Sequence, residues 1–299
     1  MRRCWLCLGV LAGCGRFGFS QRSGGDAAVE TADTASSDAG ICHTGTFGPP
    51  QLIANTATIS EESAPSISAD ELTLYFVSNR GPSQMRAIWQ TTRVAKTDAF
   101  GPPVIVPQID SSVDDGEPDI SDDGLTIYYW SVRAGQPGVI YSATRATTSD
   151  TFVDQGALQI IGDTSSTTGP QISADELTLF YASSQLEIAY ATRLDRSSPF
   201  SFARETDEVN SAPTDSSPSL TADGLELFFE SYRTGPAVIY RATRASTADV
   251  FSAPVALVEL AAGNPDAGAP DISRDGRTLY YFINDGTQID LYSATRDCL

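Results

Sequence analysis

The apolar residues of this chain recur in a fixed order. A proline, an apolar residue two positions on, a polar turn and a dense apolar run appear five times, with steps of 48 to 53 residues from one proline to the next. The copies are PSISADELTLYF (Pro65–Phe76), PDISDDGLTIYY (Pro118–Tyr129), PQISADELTLFY (Pro170–Tyr181), PSLTADGLELFF (Pro218–Phe229) and PDISRDGRTLYY (Pro270–Tyr281). A second apolar segment follows each and ends on arginine: IWQTTR at Arg93, IYSATR at Arg145, AYATR at Arg193, IYRATR at Arg244 and LYSATR at Arg296. A third opens on phenylalanine, as FGPPVIVPQI (Phe100–Ile109), FVDQGALQII (Phe152–Ile161), FSFARETDEV (Phe200–Val209) and FSAPVALVEL (Phe251–Leu260).

These segments predict strands. They are rich in β-branched and aromatic residues, and Asp-Glu or Asp-Gly turns split the first string into strands A and B. The Arg-terminated segment is strand C and the Phe segment strand D. No stretch carries a sustained helical period. Four strands every fifty or so residues are the pattern of propeller blades, each of which needs neighbours to cover its apolar faces. The fifth repeat ends just after its strand C, and the missing strand D is matched near the front by FGPPQLIANT (Phe47–Thr56). The expected fold is therefore all-β, a five-bladed β-propeller over residues 42–299 with an N-terminal strand closing the last blade.

The strings SADELTLYF, SDDGLTIYY, SADELTLFY, TADGLELFF and SRDGRTLYY resemble the WD40-like PD40 repeat of TolB-like propellers. The resemblance runs from Pro65 to Arg296 and speaks for fold more than for function. TolB itself has six blades and an extra N-terminal domain, so its Tol–Pal partnership is not carried over.

The first thirteen residues have the layout of a secretory signal: Arg2 and Arg3, a short apolar run, then small residues. About ten apolar residues fall short of the roughly twenty a membrane-spanning helix needs. Leu11-Ala12-Gly13-Cys14 resembles the lipobox of bacterial lipoproteins, which implies lipidation of Cys14; an ordinary cleaved signal is the alternative. Residues 14–41, rich in Ser, Gly, Ala, Thr and Asp, read as a flexible tether. The expected address is the cell envelope, periplasmic or on the outer-membrane surface, with the lipid as the only membrane contact.

Cys42 lies five residues before Phe47 and Cys298 two after Arg296, as Ala95 lies five before Phe100 and two after Arg93. Both cysteines therefore map to one C–D loop position. In an exported protein they are expected to form a disulfide locking the ring seam, against the alternative of two free thiols.

The 299 residues hold 19 Lys and Arg against 38 Asp and Glu, a net charge of −19, and one histidine. Such a balance speaks against a nucleic-acid partner, which draws on clustered cations. A single histidine, His43, makes His-dependent metal sites and Ser-His-Asp chemistry improbable.

Residues present in every blade are expected to serve the scaffold. These are the turn carboxylates Asp70, Asp123, Asp175, Asp223 and Asp275 and the strand-C arginines, which share a face and are candidates to pair. Ligands are expected at the opposite face, where D–A and B–C loops differ between blades. Its candidates are Arg80, Arg133 and Arg233 in the B–C loops, Trp130 at the end of a strand B, and Glu117, Asp119 and Asp271 on strand A. Each has a bland reading as loop pin, blade packing or solvated acid. No cofactor is expected; the acid-dense Asp110–Asp119 segment raises Ca²⁺, but it lacks the spacing of a calcium loop. The leading functional expectation is a non-enzymatic binding module for an envelope protein or glycan. The alternatives are a glycosidase-like enzyme using funnel carboxylates, with Glu117, Asp119 and Asp271 as acid and base candidates, and a structural part of a surface assembly.

Overall fold

A computed structural model describes residues 40–298 apart from 134, 136, 137, 164, 262 and 265. The expectations for the leader, for Cys14 and for most of the tether lie outside the described residues.

Five sheets are built from strands in chain order. Blade 1 holds β2 (Glu62–Ile67), β3 (Thr73–Ser78), β4 (Ala87–Thr92) and β5 (Val104–Ile105). Blade 2 holds β6 (Asp115–Ile120), β7 (Thr126–Ser131), β8 (Val139–Thr144) and β9 (Val153–Ala157). Blade 3 holds β11 (Thr168–Ile172), β12 (Thr178–Ala182), β13 (Ile188–Thr192) and β14 (Phe200–Glu205), with β10 (Ile160–Ile161) added parallel to β14 at its outer edge. Blade 4 holds β15 (Asp215–Leu220), β16 (Glu226–Ser231), β17 (Val238–Thr243) and β18 (Val255–Ala256). Blade 5 holds β19 (Asp266–Ile272), β20 (Thr278–Asn284) and β21 (Ile289–Thr295), and its fourth strand is β1 (Gln51–Leu52), antiparallel to β21. The N-terminal strand thus completes the last blade, and Phe47 bridges Arg296 beside it.

Each blade has two apolar faces, so the core divides into five clusters, one at each junction between blades. Tyr75 and Ile88 of blade 1 pack on Ile120, Ile127 and Tyr129 of blade 2; Phe228 and Ile239 of blade 4 pack on Leu279 and Tyr281 of blade 5 together with Phe47. Burial on both faces is why strand B reads as a continuous apolar run instead of an alternating one. The five A strands contact one another in the cycle β2–β6–β11–β15–β19 and line the axis.

Every A strand carries a register shift just before its second half. At that bulge the residue before the conserved-pattern proline is left-handed: Ala64 (φ 46°), Glu117 (49°), Gly169 (57°), Ser217 (49°) and Ala269 (45°). Four of the five are not glycine, in a region where a side chain is uncommon. The bulges bring the five prolines together around a narrow waist in the channel.

The seam is covalently closed. Cys42 and Cys298 form a disulfide with Cα atoms 5.6 Å apart and a sequence separation of 256. Cys42 N–H also donates to the Asp275 carbonyl at 2.8 Å, and its carbonyl accepts from Arg296 at 2.5 Å.

Candidate functional site

The repeated arginines and aspartates share the A–B turn face, as expected, but they do not pair in the expected way. Each turn Asp is used locally: Asp70 Oδ1 accepts from the Ser68 hydroxyl at 2.6 Å and the Leu72 N–H at 2.9 Å, and Asp123, Asp175, Asp223 and Asp275 repeat the arrangement. Each arginine instead donates its Nε to a turn carbonyl. The acceptors are Glu71, Gly124, Glu176, Gly224 and Gly276, at 2.7 to 2.8 Å. Its guanidinium then lies over the strand-D phenylalanine of its own blade, 4.4 to 5.1 Å from the ring centre. One side chain thereby ties the turn, strand C and strand D, with the cation–π contact adding to the hydrogen bond.

The B–C loop arginines are pins. Arg80 reaches Glu62 at 3.0 Å, Arg133 reaches Asp115 at 2.8 Å and Arg233 reaches Asp215 at 2.8 Å, each acid being fully buried at the start of strand A. Each arginine also holds a carbonyl of the preceding D–A loop: Thr56, Ile109 or Val209. Blades 3 and 5 lack the arginine, and they carry Thr167 and Ala267 where the acid would stand. This correlation within one sequence was a legible sign of the pairing.

Trp130 faces Gly116 across the blade, and a Cβ on Gly138 would lie 2.3 Å from its indole nitrogen. It fills the space that two glycines leave. Glu117 accepts from the Gly169 N–H at 2.7 Å and from the Thr168 hydroxyl, joining blades 2 and 3. The acids of the Asp110–Asp119 segment are dispersed: Asp114 takes the Arg86 N–H, Asp115 pairs with Arg133, and Asp119 points to the axis. Among the described residues no group of three or more His, Cys, Asp or Glu side chains is placed to hold a metal.

Asp119 and Asp271 belong to a ring one step inward from the A–B turns, not to the D–A and B–C mouth where they were expected. Five hydrogen bonds stitch each blade to the next. The Ile120 N–H donates to Ser66 at 3.0 Å, Ile172 to Asp119 at 2.6 Å, Leu220 to Gln171 at 3.4 Å, Ile272 to Ser219 at 3.0 Å and Ile67 to Asp271 at 2.6 Å. Any acceptor side chain serves this role, which is why Ser, Asp, Gln, Ser and Asp stand at equivalent places. The two carboxyls are buried, and burial is the larger cause that raises both; the Asp271 charge adds to the rise at Asp119 and the Asp122 charge to that at Asp271, which is pushed up to about 7.

Above this ring lies a cavity of about 470 Å³ that opens on the A–B turn face and extends between blades 3 and 4. Its size is that of a small-molecule site. The second turn residue lines its rim: Ala69, Asp122, Ala174, Ala222 and Arg274. Blades 2 and 5 break the alanine pattern with opposite charges, and Arg274 and Asp122 form an ion pair across 152 residues of chain. Two opposite charges among three alanines mark this column in the sequence. The outer wall holds Phe180, Tyr190, Thr192, Arg244 and Thr247.

The architecture is that of a five-bladed propeller with a polar cavity at one end of its axis. No family model matches the chain, and no curated protein does. Among solved structures, a family 117 glycoside hydrolase of Zobellia galactanivorans (Zg3597) is similar with a TM-score of 0.58 at 13% identity, over 85% of this chain and 90% of that one. The catalytic domain of the Coprinopsis cinerea GH62 alpha-L-arabinofuranosidase is similar with a TM-score of 0.57 at 11% identity, over 86% and 97%. TolB from Acinetobacter baumannii is similar with a TM-score of 0.47 at 14% identity, over 80% of this chain and 55% of TolB, so the chain spans about half of TolB's length. At such identities the likeness establishes the fold alone.

Proposed function

We propose that this chain is a non-enzymatic binding module of the bacterial envelope, held at a membrane by a lipid on Cys14, which takes a glycan unit in the cavity on the A–B turn face. The observation that carries this reading is the commitment of the axial carboxyls. Asp119 Oδ1 and Oδ2 accept from Gln171 and Ile172, and Asp271 Oδ1 and Oδ2 accept from Ser219 and Ile67. All four oxygens already hold the ring together, whereas a glycosidase needs its acid and base turned towards the substrate. The cavity above them combines an aromatic wall with hydroxyl, amide and charged groups, a mixture suited to a sugar ring. A concave site of this size takes one or two ring-sized units.

The alternative, a carbohydrate-active enzyme, draws on the same place, since Asp119, Asp271 and Asp122 lie around one cavity. A screen of the full chain against a glycan array, followed by mass analysis of each bound glycan, separates the two. Release of the glycan unchanged supports the binding module, and shortened products overturn it in favour of the enzyme.

A further inference from the structure

The five strand-C arginines look equivalent in sequence but differ in their counter-charges. Arg93 and Arg193 face a carboxylate from their own turn, Glu71 at 3.7 Å and Glu176 at 3.4 Å. Both glutamates are buried, and both sit at left-handed turn positions (φ 56° and 60°). Arg296 pairs with Glu226 of the neighbouring blade. In blades 2 and 4 the turn position of Glu71 and Glu176 is glycine, Gly124 and Gly224. Among the described residues no carboxylate lies within 4 Å of the guanidinium of Arg145 or Arg244.

The two arginines differ in their other partners. Arg145 interacts with the Tyr75 hydroxyl, whereas the residue equivalent to Tyr75 beside Arg244 is Phe180. Arg244 donates Nε to the Gly224 carbonyl at 2.7 Å and Nη1 to the Thr247 carbonyl at 3.2 Å. Its Nη2 lies 3.2 Å from the place a Cβ on Gly224 would take. Gly224 and Arg244 both line the axial cavity, so the turn that lacks a glutamate leaves this half-buried cation facing that space. Burial lowers the pKa of this arginine, and the opposing effects of Tyr190, Glu208, Asp223 and Asp249 do not offset it.

We propose that Arg244 anchors a carboxylate carried by the ligand, in the place that the glutamate side chain fills in blades 1 and 3. The homologous blades show that the site accepts this group, because the same arginine-and-turn geometry there holds a carboxylate of the chain itself. Resting on the glycan reading above, the ligand is an acidic sugar of the uronic class. Its carboxylate meets Arg244, while the ring lies against Tyr190 and the Thr192 and Thr247 side chains.

The test titrates the full chain with a glucuronate-containing disaccharide, with the methyl ester of the same disaccharide, and with glutarate at constant ionic strength. The acid disaccharide is expected to bind at least tenfold more tightly than the ester. Gly224→Glu supplies the carboxylate in cis, at a turn position where two other blades carry glutamate, and is expected to abolish that preference; Arg244→Gln is expected to do the same. Gly124→Glu, in the separate groove between blades 1 and 2, is expected to leave it intact. Thermal unfolding of each variant shows that it is folded. Equal binding of acid and ester overturns the carboxylate anchor, and if Gly224→Glu blocks both, the glycan reading survives that loss. If neither sugar binds but glutarate stabilises the wild type and not Gly224→Glu, the anchor stands and the glycan reading falls. Retention of the acid preference in Gly224→Glu, or no response to any carboxylate probe, overturns the proposal.

Discussion

The Asp271 carboxylate accepts the Ile67 N–H at 2.6 Å, and this bond closes the circle of five that runs around the propeller axis from blade to blade. Serine and glutamine perform the same task elsewhere in the ring. Two of the five acceptors nevertheless carry a titratable group into a buried place.

That choice has a pH signature. Asp271 is pushed from 3.8 up to about 7, chiefly by burial. Between these values the native state holds a proton that the unfolded state has released, so this group's contribution to stability falls as pH rises through the window. The slope approaches about 1.4 kcal/mol per pH unit for one proton. Asp271→Asn keeps an acceptor for Ile67 without the charge. Urea unfolding at pH 5 and pH 8 is expected to show the variant gaining on the wild type at the higher pH, and an equal difference at both would count against the assignment.

The loop pins predict a coupled loss. Asp115 is fully buried, and among the described residues Arg133 is the one cation paired with it. Arg133→Ala strands that charge and is expected to cost roughly 3–5 kcal/mol. Adding Asp115→Ala, which copies the alanine of blade 5, is expected to restore a large part of it. A double-mutant cycle by chemical denaturation measures the coupling.

Closure of the seam is expected to matter for the whole ring. The disulfide joins the first strand to the last across 256 residues. Replacing Cys42 and Cys298 by serine is expected to destabilise by about 2–5 kcal/mol. Mass analysis of unreduced peptides checks the link directly, since two alkylatable thiols would contradict it.

The proposed anchor is separable from the fold. Cys14→Ala is expected to leave the propeller's thermal transition unchanged while moving the protein from the membrane to the soluble fraction on fractionation. Retention at the membrane would remove the lipid from the account.

Blade number, strand order and ring closure were legible because they rest on local, repeated signals. Pro65, Pro118, Pro170, Pro218 and Pro270 mark the period, and the resemblance of Phe47–Thr56 to Phe100–Ile109 reveals where the missing strand comes from. The seam disulfide was legible for the same reason, since Cys42 and Cys298 occupy one position of the repeat. The site was less so. Arg80, Arg133, Trp130 and Glu117 stood out by residue type, yet each is occupied by a neighbour: a buried acid, a pair of glycines, an adjacent blade. Asp122 and Arg274 were overlooked because their meaning depends on meeting across the axis.

The sequence by itself determined the repeated blade, since a two-faced apolar strand set can be buried only between copies of itself. It also placed the turn carboxylates and the strand-C arginines at equivalent positions of every blade. Only the tertiary structure decided which of the recurring arginines, Arg145 and Arg244, are left without a carboxylate. Satisfaction of a buried charge depends on everything within a few ångströms, and for Arg244 that surrounding comes from a glycine in its own turn and a phenylalanine in the blade before.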